Sequence, residues 1–125
     1  MIGRLHHTII DCPDPLRLAA FYSALLGKPI TFRSDDFCVV ADSATTSGIG
    51  FQRVAEFHAP RWPDPAYPQQ MHFDVMVDDP VSAGAAVIAI GATALPRGEN
   101  VYADPVGHPF CLVKRPNWAP EIPSN

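Results

Sequence analysis

Two histidines in matched surroundings are the first residues that could do chemistry. His7 is followed seven positions later by Asp14-Pro15, and His72 seven positions later by Asp79-Pro80, so one offset of 65 residues superposes three residue types. An imidazole can hydrogen-bond, move a proton near neutral pH or ligate a metal. A lone strand histidine is more often tied to backbone or water, but recurrence in both halves argues for a pocket. His72 is joined two residues later by Asp74, on the same side of a strand, where a carboxylate can orient an imidazole or a ligand amine. Cys111 lies between Phe110 and Leu112. It reads either as a soft thiolate for a metal such as zinc or, with no cation close in sequence, as an inert packed thiol. Gln52 can both donate and accept.

The elements that must position these groups repeat as the histidines do. His7-Thr8-Ile9-Ile10 and Met71 to Val77 read as strands, each leading to an Asp that can cap a helix and a Pro suited to its first turn. The first helix, Pro15 to Leu26, sets Leu18, Phe21, Tyr22 and Leu25 on one face and stops at Gly27. The second, Pro80 to Ile90, uses Val81, Ala85 and Ile88 and ends at Gly91. Short strands follow at Pro29–Arg33, Phe37–Ala41 and Gly48–Val54, then at Thr93–Leu95, Val101–Ala103 and Pro109–Lys114. Asp104-Pro105-Val106-Gly107 has the residues of a type I turn before the last strand. Each half is therefore β-α-β-β-β, and a unit of roughly 50 residues is too small to close a core alone, so two must pair.

Period-two alternation groups His7 with Ile9, Gln52 with Gly50 and Val54, His72 with Asp74 and Met76, and Cys111 with Pro109 and Val113. Phe51, Phe73, Phe110 and Leu112 then face the helices. The first set mixes polar groups into apolar walls, as small-molecule pockets do.

The remaining composition excludes several functions. The chain has 125 residues, 9 basic against 13 acidic side chains and 47% hydrophobic residues, which suits one soluble domain. Scattered Lys and Arg argue against nucleic acid and against a membrane surface. No apolar signal core opens the chain, and the three cysteines form no disulfide framework, so a cytoplasmic protein with buried thiols is expected. The 14 prolines cluster: Pro60, Pro63, Pro65 and Pro68 mark a linker over 58–70 between modules at 5–57 and 71–115, and Pro116, Pro120 and Pro123 mark a tail, 116–125, expected to fray. Trp62 in the linker either lids a pocket or covers a sheet edge. Phosphate-binding glycine loops and a Ser-His-Asp elbow are missing.

Two modules with a histidine on each first strand resemble the vicinal oxygen chelate superfamily, which includes glyoxalase I, bleomycin-resistance proteins, fosfomycin-resistance enzymes and extradiol dioxygenases. The likeness spans about residues 5 to 115. It rests on His7…Asp14…Phe21-Tyr22…Leu26-Gly27 and on Asp104-Pro105-Val106-Gly107-His108-Pro109-Phe110-Cys111-Leu112-Val113. It implies an α+β fold of paired βαβββ modules, forming a curved mixed sheet around a concave pocket, and a homodimer. It also implies a divalent metal (zinc, nickel, manganese or iron) held by the first and last strand of each module: His7, His72 and Gln52, with Cys111 at the fourth place. Ile9, Asp74, Met76, Cys111 and Trp62 would line the pocket. Gln52 and Cys111 stand where metal enzymes of this kind often carry Glu, which weakens the cage and removes the usual base. Two readings follow: a metal-dependent lyase, isomerase or dioxygenase acting on vicinal oxygens, or a metal-free protein that binds or sequesters a small molecule.

Overall fold

The computed structural model describes residues 1–123. The chain forms two compact units, Met1–His58 and Ala59–Asn125, and each repeats the same α+β plan. The linker expected at 58–70 thus belongs almost entirely to the second unit.

In the first unit, β1 (His7–Cys12), α1 (Pro15–Leu26), β2 (Ile30–Arg33), β3 (Phe37–Ala41) and β4 (Gly48–Arg53) build a mixed sheet in the order β1-β4-β3-β2. β1 runs parallel to β4 and the other pairs are antiparallel. Asp14 caps α1 by accepting the Arg17 amide at 3.2 Å, and Pro15 fills the first turn. Gly27 ends the helix at φ 64°, a left-handed conformation that glycine adopts without a Cβ clash. Leu18, Phe21 and Tyr22 bury one helix face against the sheet. The Tyr22 ring stacks on Phe51 with centroids 5.3 Å apart, and Phe51 is fully buried. Along β1, Ile10 and Cys12 are buried while Ile9 and Asp11 are exposed, which is the alternation a half-covered strand requires.

In the second unit, β5 (Phe73–Val77), α2 (Pro80–Ala89), β6 (Thr93–Ala94), β7 (Val101–Ala103) and β8 (Pro109–Lys114) pair in the order β5-β8-β7-β6, again with one parallel pair, β5 with β8. β5 starts at Phe73 rather than Met71. Gln70 sits at φ 56° and the Met71 amide closes a tight turn onto Gln69, so the chain straightens only afterwards and His72 stands at the strand's mouth. Asp79 caps α2 through the Val81 amide. Phe110, Leu112 and Val87 are buried, and Tyr102 stacks on Phe110 at 5.9 Å. The Asp104 carboxylate, 3% exposed, accepts the amides of Val106, Gly107 and His108, each at 3.0 Å, which fixes the turn into β8.

The proline-rich segment is pinned within this unit. The Trp62 indole N–H donates to the Pro96 carbonyl at 2.9 Å, Arg61 lies over the Tyr67 ring, and Ala59 packs so close to Gly107 that a Cβ there would come within 3.0 Å of it. The tail expected to fray is held at its start. The Arg115 guanidinium bonds Asp78 and the Ala119 carbonyl, and Ala119 is buried. Ser124 and Asn125, also assigned to that tail, lie outside the described residues. No helix among the described residues is long and apolar enough to cross a membrane.

Candidate functional site

The parallel pairing of β5 with β8 sets Asp74 opposite Cys111, and His72 lies two residues before Asp74 on the face away from α2. The result is a cluster: one ligand atom from each of His72, Asp74 and Cys111 lies within 4.8 Å of the others. His72 Nε2 is 3.3 Å from Asp74 Oδ1, with the side chains 40% and 59% exposed. That exposure limits the pair's contribution to stability to about 1 kcal/mol or less. Burial, and secondarily the Asp74 charge, push the Cys111 thiol above its ordinary value of 9.0, so it stays protonated at neutral pH. Such a thiol is a poor nucleophile; a cation at the cluster would favour the thiolate.

Cys111 is half-buried, whereas Cys12 and Cys38 are the inert, buried thiols the sequence suggests. Phe110 and Leu112 point to the helix side as expected and leave Cys111 on the other face. Asp74 stands beside His72, the pairing that the sequence singles out. Read as a pocket residue orienting His72, it is as well placed to ligate as His72 itself.

The first unit is built differently. His7 pairs with Gly48, Ile9 with Gly50 and Asp11 with Gln52. Shifting by 65 residues turns Ile9 into Asp74, so the register counterpart of Cys111 is Gly50 and not Gln52. Both lie on one face, but Gln52 is four positions beyond Gly48, the partner of His7, ~13 Å along the strand. His7 and Gln52 are therefore not neighbours. Aligning the aromatics Phe51 and Phe110 hides this, because Phe51 matches Leu112 in register, and a shift of two residues preserves the face while moving the position. Gly50 brings no ligand, and a Cβ there would meet Ile9 Cδ1 and the Phe37 ring, each at 2.6 Å. The Gly48 amide donates to His7 Nδ1 at 3.0 Å, and the His6 ring lies 3.8 Å from that of His7, centroid to centroid.

Of the apolar pocket candidates, Ile9 and Met76 are 44% and 41% exposed, on the faces away from α1 and α2 respectively. Trp62 is anchored to Pro96.

The family model for the glyoxalase-like domain matches residues 7–113. No curated protein matches the chain by sequence. Solved structures with the same fold include a glyoxalase/bleomycin resistance protein/dioxygenase family enzyme from Burkholderia phytofirmans PsJN, with TM-score 0.64 and 20% identity over 90% of this chain and 98% of that one. The fosfomycin resistance protein FosX from Mesorhizobium loti gives TM-score 0.62 and 13% identity over 90% of this chain and 91% of that one. The trypanothione-dependent glyoxalase I of Leishmania major gives 0.58 and 18% over 90% and 86%. At these identities the likeness is one of fold.

Proposed function

The chain belongs to the glyoxalase-like domain family, and from that premise we propose that it binds a small molecule at a divalent-metal centre formed by His72, Asp74 and Cys111. The observation that carries this reading is the mutual approach of the three ligand atoms, within 4.8 Å. One imidazole, one carboxylate and one thiolate make a borderline-soft donor set that suits zinc first, then nickel or iron(II), and manganese least. When bound, such an ion supplies Lewis acidity toward a carbonyl or enolate oxygen of a substrate with adjacent oxygens. The chain's own part is positional. Asp74 Oδ1 stands 3.3 Å from His72 Nε2, and among the described residues nothing donates to His72 Nδ1, so the ring proton can sit on Nδ1 and leave Nε2 free to face an ion beside the carboxylate. His7 and Gln52 stand ~13 Å apart along their strands, and the proposed centre is built from residues of the second unit. An acidic, cytoplasmic homodimer acting on small molecules completes the reading.

Calorimetric titration with zinc, nickel, manganese and iron(II) tests it. One zinc per chain is expected, with H72A and C111S each lowering affinity at least about tenfold, ~1.4 kcal/mol. A wild-type chain that takes up no metal would leave the metal-free binding protein, whose support is the lack of a carboxylate at both last-strand positions, Gly50 and Cys111.

A further inference from the structure

His7 matches His72 by position in the repeat, yet its ring is held the opposite way. The Gly48 N–H donates to His7 Nδ1 across the register that sets the two residues opposite each other. A neutral imidazole has one N–H, so a ring nitrogen that accepts leaves the other to carry the proton. Nδ1 accepts here; Nε2 therefore bears the hydrogen and has no lone pair to give. Metal-ligating histidines show the reverse pattern, donating the second ring N–H to an acceptor.

The partner makes this arrangement hard to invert. A hydroxyl could serve either tautomer, but a backbone amide can only donate. Gly48 itself has no freedom to become another residue, because a Cβ would lie 2.2 Å from the Val40 carbonyl oxygen and 2.6 Å from Ala41 Cβ. The His6 ring packs against that of His7. Gly50, which offers no ligand atom, occupies the place that Cys111 takes in the other unit.

We infer that His7 is a hydrogen-bond donor through Nε2–H, suited to a carbonyl or carboxylate oxygen, and is not a metal ligand. That a metal is held by residues of the second unit rests on the proposed function; the tautomer of His7 does not.

Long-range proton–nitrogen NMR of the full-length ¹⁵N-labelled protein, at pH about 8 where ordinary imidazoles are neutral, reads the tautomer directly. H7N, whose side-chain oxygen can still take the Gly48 amide, identifies the His7 signals and guards against misfolding. The expected spectrum has His7 protonated at Nε2 and bare at Nδ1. Adding zinc should shift the His72 nitrogens and not those of His7, and H7N should keep zinc affinity within about twofold while H72A loses at least tenfold. A proton on Nδ1 of His7, or a His7 nitrogen that moves with zinc, overturns the inference. If zinc fails to bind at all, the metal reading falls, and the metal-free spectrum still decides the role of His7.

Discussion

Asp74 and Cys111 face each other across the parallel β5–β8 pairing, and that single register relationship turns a His-x-Asp strand end into a three-donor cluster. Nothing comparable exists in the first unit, where the same two positions are Ile9 and Gly50. The duplicated fold is thus symmetric in its backbone and asymmetric in its chemistry.

Thiol reactivity should follow from that relationship. Burial and the Asp74 charge raise the Cys111 thiol above 9.0, so alkylation of the native protein at pH about 7 should be slower than for an unperturbed cysteine, and confined to Cys111 because Cys12 and Cys38 are buried. D74N should speed the reaction and zinc should suppress it, as mass spectrometry after timed labelling would show. Faster labelling of Cys12 or Cys38 would contradict the assignment of faces.

The pairing of Asp78 with Arg115 should be visible in the pH dependence of stability. The Arg115 guanidinium hydrogen-bonded to Asp78 holds its carboxyl below the ordinary 3.8, and the Ser82 hydroxyl and Val81 amide do the same for Asp79. A depressed folded-state value contributes stability that is full above about 3.8 and is lost as pH falls through the lower folded value. Thermal melts from pH 7 to 2 should therefore drop more steeply below pH 4 for the wild type than for a D78N/D79N variant. Parallel curves would contradict this.

Glycine at position 84 should resist the usual helix-stabilising exchange. Gly to Ala inside a helix ordinarily gains about 1 kcal/mol, but a Cβ at Gly84 would lie 2.3 Å from the Tyr102 hydroxyl, and the Tyr102 ring is stacked on buried Phe110. G84A should lower the urea midpoint, and G84A/Y102F should recover much of the loss, because without the hydroxyl the nearest ring atom is 3.3 Å away.

Core and outer-face positions should separate cleanly in the same assay. F51A and F110A, each removing a fully buried ring, should cost about 3–5 kcal/mol. Ile9, 44% exposed, should cost about 1 kcal/mol or less on truncation to Ala. Equal losses would mean that Ile9 belongs to the core of its unit.

Much of the fold was legible because local chemistry repeats. Asp14-Pro15 and Asp79-Pro80 mark both helix starts, Gly27 marks one helix end, and the turn at Asp104 to Gly107 announces the last strand; each is a local backbone requirement that a residue type satisfies. Register was not legible. Period two tells which face a strand residue occupies, but not which residue stands beside it on the neighbouring strand, so Gln52 passed for the counterpart of Cys111 when Gly50 holds that place. The tautomer of His7 was hidden for the same reason, since the Gly48 amide comes beside it only through pairing of segments 41 residues apart. Composition likewise marked the proline-rich segment as a linker, because no sequence pattern reveals the bond from Trp62 to Pro96.

The central claim, that His72, Asp74 and Cys111 form the metal centre, is tested most directly by cobalt(II) in place of zinc. Cobalt bound to the wild-type chain should give a thiolate-to-metal charge-transfer band in the near ultraviolet that C111S abolishes, H72A and D74A weaken, and H7N leaves unchanged. Cobalt that binds without that band, or no binding at all, would contradict the account.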